Sequence, residues 1–196
     1  MLHQKTKHSS QSPFYEKMHA SELMVYLLMG SSAILFAVLI VISFFSKSAD
    51  SVNLSLYFIL STMVLLFSSK FSFRIKHLFF KEDWKAIRNS VLLLTLSGLA
   101  FICLQYLGWF EMKNNGTLSR FNDFFYLLCG LHVLHIVLMV LYSGKVFKKY
   151  LKMSIDPIYA LLIQANPFEI RKIALLSQCW LYLDIIWMLI LLAFLL

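Results

Sequence analysis

The sequence is poor in the residues that break, bend or cross-link a chain: among 196 residues there are three prolines, six glycines and three cysteines. Pro13, Pro157 and Pro167 all fall outside the long apolar runs. Those runs are therefore free of helix breakers, and the discontinuous spans that carry substrate sites in many transporters are not expected. Cys103, Cys129 and Cys179 are far apart and lie in or beside apolar runs. Their spacing suits neither zinc, nor a redox pair, nor a disulfide framework, and they read as small buried hydrophobes. No glycine-rich phosphate loop, Ser/His/Asp pattern in a polar loop, internal repeat or low-complexity tract is found. Charge is scarce too, at 14% of residues against 60% hydrophobic. With a mean hydropathy of +0.73, the chain is too apolar for a soluble domain of its length.

What is present in abundance is membrane-length hydrocarbon. Crossing about 30 Å of bilayer core at about 1.5 Å per residue takes about 20 apolar residues. Residues 22–45, 52–69, 90–108, 123–143 and 174–196 meet that requirement. The expected fold is an all-α integral membrane protein, a bundle of five transmembrane helices over residues 22–196, preceded by a polar, basic tail at 1–21. The tail has no apolar core or small-residue cleavage site, so the first span is expected to act as an uncleaved insertion signal. All Lys and Arg residues except Lys47, Lys113 and Arg120 fall in the tail, the 70–89 connection or the 144–173 connection. The positive-inside rule then places the N-terminus in the cytoplasm and the C-terminus outside. The formal net charge of +8 faces the inner leaflet, and no nucleic-acid partner is needed to account for it.

Two connections carry further pattern. The segment KFSFRIKHLFFKEDWKAIR, residues 70–88, sets Phe71, Ile75, Leu78 and Phe79 at helical spacing among basic residues. It is expected to lie on the cytoplasmic surface as an amphipathic stretch. Pro157 and Pro167 bracket IYALLIQAN, too short to cross and expected at the interface or as an extension of the last helix. Trp84 and Trp109 sit at span ends, where aromatic belts occur.

Within the spans, a few polar groups stand out. His132 and His135 lie about 14 and 18 Å into the fourth span, Asp184 and Ser32 about 15 Å into the fifth and first. All are near the midplane. An ionisable group there costs at least about 2.5–3.5 kcal/mol and should face protein with a partner. His132 and His135 share one face of their helix, as do Trp180, Asp184 and Trp187 of theirs. A haem held by two histidines from different spans is ruled out by inventory, because His3, His8, His19 and His77 all lie outside the apolar runs. Two readings of His132, His135 and Asp184 stay open: a metal site, or a hydrogen-bonded packing network that Ser32 could join. Gly30, Ser31, Ala33 and Ala37 in the first span, with Ser61, Thr62, Ser68 and Ser69 in the second, are small enough for close helix approach.

Several of these residues recur in a known pattern. STMVLLFSS (61–69) is similar to the NTxxLLxSS of subunit III of the haem-copper oxidases, the family of cytochrome c oxidase and the bacterial quinol oxidases. Gln105 in FICLQYLGWFEM resembles that family's Gln followed by an aromatic and acidic patch, here Trp109 and Glu111. FFYLLCGLHVLHI resembles FYxxTGxHxxH, with Cys129 in the Thr place, Gly130 matched, and His132 and His135 as its histidines. CWLYLDIIW resembles WHFxDxxW through Trp180, Asp184 and Trp187, with Leu181 where the family has His. A first-helix Glu of the family is absent, its place taken by Ser32, so no proton-handling role is carried onto that position. The match is to the short, five-helix bacterial form, which implies the bacterial cytoplasmic membrane. The resemblance implies an accessory subunit without haem or copper of its own, packed on subunit I, with subunit II and small subunits nearby. The haem and copper would sit in partner subunits. It also implies bound phospholipid, support of proton uptake, and a possible supercomplex with a quinol-oxidising cytochrome c reductase. The accessory protein of nitric oxide reductase is an alternative within the superfamily; a stand-alone transporter or metal-binding protein is the alternative outside it.

Overall fold

The computed structural model describes residues 20–45, 55–114, 120–164, 166 and 168–195. They form six helices: α1 (Ala20–Phe45), α2 (Leu56–Phe80), α3 (Trp84–Asn114), α4 (Arg120–Ile155), α5 (Pro157–Gln164) and α6 (Phe168–Leu195). No strand occurs among the described residues. All but α5 are long and apolar enough to cross a bilayer, which makes this a multi-pass membrane protein. The tail expected at 1–21 lies almost wholly outside the described residues.

The first span coincides with its expected limits, whereas α2, α3, α4 and α6 all run further at the basic end than apolarity alone indicates. The 70–88 segment accounts for much of this. It does not form a separate surface stretch: residues 70–80 continue α2, and α3 begins four residues later at Trp84. Ile75 and Leu78 are buried, with Phe71 and Phe79 packed at the edge of the core. The apolar stripe finds protein in the neighbouring helices, which outweighs what the interface offers it.

The turn between α2 and α3 closes α2 with a Schellman motif. The Asp83 amide donates to Leu78 O (3.3 Å) and the Glu82 amide to Phe79 O (3.1 Å). Glu82 sits at φ 56°, where glycine is usual. Asp83 then caps α3, its Oδ1 accepting from the Ala86 amide at 3.0 Å. Pro157 opens α5 as a separate short helix after Asp156, whose Oδ1 accepts from the Ile158 and Tyr159 amides. Asn166 caps α6 through the Phe168 amide at 3.0 Å.

These basic-end turns are tied to each other. Arg88 donates to Ser154 Oγ (3.2 Å), Gln164 to Glu82, and Lys149 on α4 pairs with Glu169 in the first turn of α6. Glu169 is buried and also takes Lys172 at 3.1 Å. Trp84 is only partly a belt residue, since its ring stacks on buried Tyr150 at 6.5 Å between centroids.

Burial is unequal. Half of α6's most apolar window is buried, against 11% for α1. α6 packs against α1, α2 and α4, while α2, α3 and α4 pack in sequence. Gly98 on α3 permits the closest approach: a Cβ there would lie 2.5 Å from Val140 Cγ2 and 2.8 Å from Trp180 Cη2. It is the only residue type that lets α3, α4 and α6 meet at this depth. Gly98→Ala is therefore expected to cost about 1–3 kcal/mol by overpacking, with Val140→Ala recovering part of the loss. Thermal unfolding in mild detergent measures both; an unchanged midpoint for Gly98→Ala would show that the helices stand further apart.

Candidate functional site

The polar groups of the interior gather on the inward face of α2 and the faces of α3 and α6 that meet it. Along α2, Ser61, Thr62, Ser69 and Ser72 recur at positions that keep one face of the helix. Each hydroxyl meets a different partner. Gln105 Nε2 on α3 donates to Ser61 Oγ (3.0 Å), and Trp187 Nε1 on α6 donates to Thr62 Oγ1 (2.9 Å). Ser69 Oγ donates to Asp184 Oδ2 at 2.5 Å. Ser72 and Ser177 exchange hydroxyl-to-carbonyl bonds in both directions, at 2.9 and 2.7 Å. Such reciprocal contact requires two small side chains and close backbones, which these serines supply. Ser68 is buried as well, but its hydroxyl turns back to Leu65 O at 2.8 Å and ties no second helix.

α4 joins this junction through packing more than through hydrogen bonds. His132 is fully buried and stacks on Trp187 (5.3 Å between centroids, 28° between planes), with Phe101 edge-on at 5.5 Å. Neither of its ring nitrogens has a hydrogen-bond partner among the described residues. Trp180 Nε1 donates to Ser143 Oγ at 3.0 Å, the direct hydrogen bond between α6 and the middle of α4. His135 points elsewhere. Its Nδ1 lies 2.7 Å from Leu131 O of its own helix, and its ring rests on Phe36 of α1 at 5.6 Å.

The expected pairing of Asp184 with His132 or His135 is thus not made. Depth along a span does not fix direction around the helix. Asp184 faces α2, His132 faces Trp187 and Phe101, and His135 faces α1. The metal alternative meets the same obstacle: no group of three or more His, Cys, Asp or Glu side chains placed to hold an ion occurs among the described residues. Ser32 joins neither histidine nor Asp184; it bonds Tyr182 Oη at 2.6 Å and so links α1 to α6. Gly130 is not a close-approach site, since a Cβ there would meet nothing within 4 Å. Cys129 and Cys179 are buried as expected, but Cys103 is exposed on the outer face of α3.

The junction therefore unites Ser61, Thr62, Ser69, Gln105, His132, Asp184 and Trp187, with Trp180 on an adjoining contact. It leaves Ser32 and His135 on the α1 side. Residues that sequence reasoning did not single out complete it: Ser72 and Ser177, Ser143, Phe101 and Gly98. Ser72 extends the α2 serine periodicity by one turn and could have been found that way; Phe101 and Ser143 carry no local signal. Chemically, the site pairs hydroxyl groups with amide and indole N–H groups and sets one carboxyl oxygen on a serine, while Gln105 Oε1 and Asp184 Oδ1 have no hydrogen-bond partner among the described residues.

No family model matches this chain, and no curated protein matches it.

Thr62→Val removes the acceptor for a buried indole N–H and is expected to cost about 1–3 kcal/mol. Trp187→Phe removes the donor while keeping a ring against His132. In the double variant the loss is smaller than the sum of the singles, a coupling of at least about 0.5 kcal/mol. Equilibrium unfolding of the four proteins of this cycle measures it; strict additivity would mean that the bond contributes nothing.

Proposed function

We propose that this chain is an accessory, subunit III-like component of a respiratory haem-copper terminal oxidase, a cytochrome c oxidase, in the bacterial cytoplasmic membrane. One observation carries the reading: four motifs that resemble that family's, spread from Ser61 to Trp187, converge on one interior junction. Motif residues that support each other physically are more than a chance run of apolar sequence. The junction ties α2, α3 and α6 by side-chain hydrogen bonds, which suits a subunit whose role is mechanical. In this reading the haem and copper belong to subunit I and subunit II. The chain packs on subunit I, holds phospholipid, and supports proton uptake and durable turnover. The same features suit the accessory protein of nitric oxide reductase, or of a quinol oxidase, and the partners recovered would separate them. The N-terminus lies in the cytoplasm, from the charge asymmetry.

Purification through a tag on this chain in mild detergent, with a reduced-minus-oxidised visible spectrum and mass spectrometry of partners, tests the proposal. Recovery of a haem-copper subunit I with oxygen consumption is the expected result; recovery with nitric oxide reduction selects the alternative subunit. A colourless chain that purifies alone and stable would overturn the proposal. His132→Leu removes the ring stacked on Trp187, which is worth about 0.5–1.5 kcal/mol, and is expected to lower the yield of subunit I per tagged chain.

A further inference from the structure

On the side of the bundle away from the junction, α1, α4 and α6 bound a groove of about 390 Å³. Its walls bring together Met29 of α1, His135 and Met139 of α4, and Cys179 of α6. Two thioethers, a thiol and an imidazole are the donor types that hold a soft metal ion. The His, Cys, Asp and Glu side chains assemble no such group by themselves among the described residues, so the methionines are what complete the set.

Two of the four donors already touch. Cys179 Sγ lies 3.7 Å from Met29 Sδ, with the thiol hydrogen directed at the thioether. An ion bonded to both sulfurs at about 2.3 Å would see them at an angle of about 107°, close to tetrahedral, without any movement of α1 or α6. α4 presents His135 and Met139 to the same groove, one helical turn apart, and so can supply the remaining donors. Two further contacts have the form that a metal site needs. His135 Nδ1 is 2.7 Å from Leu131 O and carries the ring proton, which leaves Nε2 as a lone pair; histidine ligands characteristically give their other N–H to such a carbonyl. Met29 is steadied through its carbonyl oxygen, which lies 3.0 Å from both Ser32 Oγ and Tyr182 Oη.

We propose that Met29, Cys179, His135 and Met139 form a site for Cu(I). Charge and softness select the ion. No carboxylate lines the groove, and Cys179 is the one donor of the four that binds as an anion. A monovalent ion on one thiolate is neutral overall, whereas a divalent ion would leave a net charge inside the span, where one costs at least about 2.5–3.5 kcal/mol. Thioethers also discriminate against zinc, which takes nitrogen, oxygen and thiolate donors. On binding, the Cys179 S–H bond breaks, the copper–sulfur bond forms, the proton leaves to the aqueous phase, and no electron is transferred. The resemblance to the oxidase subunit assigns no ion to this chain, and the inference does not rest on it.

The test uses the full chain in nanodiscs, with whatever subunits accompany it, under anaerobic reducing conditions. Cu(I) is offered as its bicinchoninate complex, whose colour reports what the protein withdraws. The unaltered preparation is expected to withdraw one equivalent more than Cys179→Ser. Met29→Leu is expected to weaken that equivalent at least about tenfold, since even outer-shell changes at metal sites cost this much. Excess Zn(II) should not displace it. Equal withdrawal by the unaltered chain and Cys179→Ser would overturn the proposal. Undiminished affinity in Met29→Leu would do the same, because it would mean a bare thiol, and so would displacement by Zn(II). Met29→Leu nearly conserves volume, so that variant and the zinc competition decide the question even if Cys179→Ser fails to fold.

Discussion

Inside a bilayer core a polar side chain has no water to turn to, and the way the helices of this protein are joined follows from where most of their polar groups find partners. α6 is the helix that meets most of them. It offers indole N–H groups to Thr62 and Ser143, a carboxyl group to Ser69, a hydroxyl and carbonyl to Ser72, and a phenol to Ser32. Those bonds run to α2, α4 and α1, against each of which it packs. Each is modest, in the range of about 0.6–2 kcal/mol for contacts between membrane helices. Their value lies in direction: dispersion brings apolar helices together in many ways, and polar pairs leave few rotations that satisfy every donor.

The rings and glycines fill in what the hydrogen bonds specify. Phe58, Phe101, Phe125, His132, Trp187 and Phe194 form a connected set of edge and stacked contacts between about 5 and 6 Å. Gly98 and Gly108 admit their neighbours without a side chain in the way. At the basic end, buried Glu169 holds Lys149 and Lys172, fixing how α4 hands the chain through α5 to α6. By contrast α1 is attached by few polar links, chiefly Ser32 to Tyr182 and Tyr26 to Gln178. The groove bounded by α1, α4 and α6 lies on this sparsely tied side.

Much of this was legible in the sequence, and the limits of legibility are physical. Apolar length revealed the five crossings, and the three- and four-residue spacing of Trp180, Asp184 and Trp187 identified the inward face of α6, because both depend only on helix geometry. The helix ends at the basic side were less visible, since Ile75 and Leu78 bury against protein where charge suggested a surface segment. The partner of Asp184 was assigned to the wrong helix. Ser69, a residue with no charge to advertise itself, takes the carboxyl group. Which helix stands next to which is a long-range property that one chain's periodicity does not encode, and Ser143 and Phe101 became visible only once the helices were placed.

The central claim is that Asp184 belongs to the α2–α6 contact and serves to join those helices. Paired cysteines in native membranes test it most directly, using a membrane-permeant oxidant on Ser69→Cys with Asp184→Cys and, separately, on His132→Cys with Asp184→Cys. The structure predicts rapid cross-linking of the first pair and none of the second. Preferential cross-linking of the second would restore the histidine–aspartate pair and contradict the arrangement described.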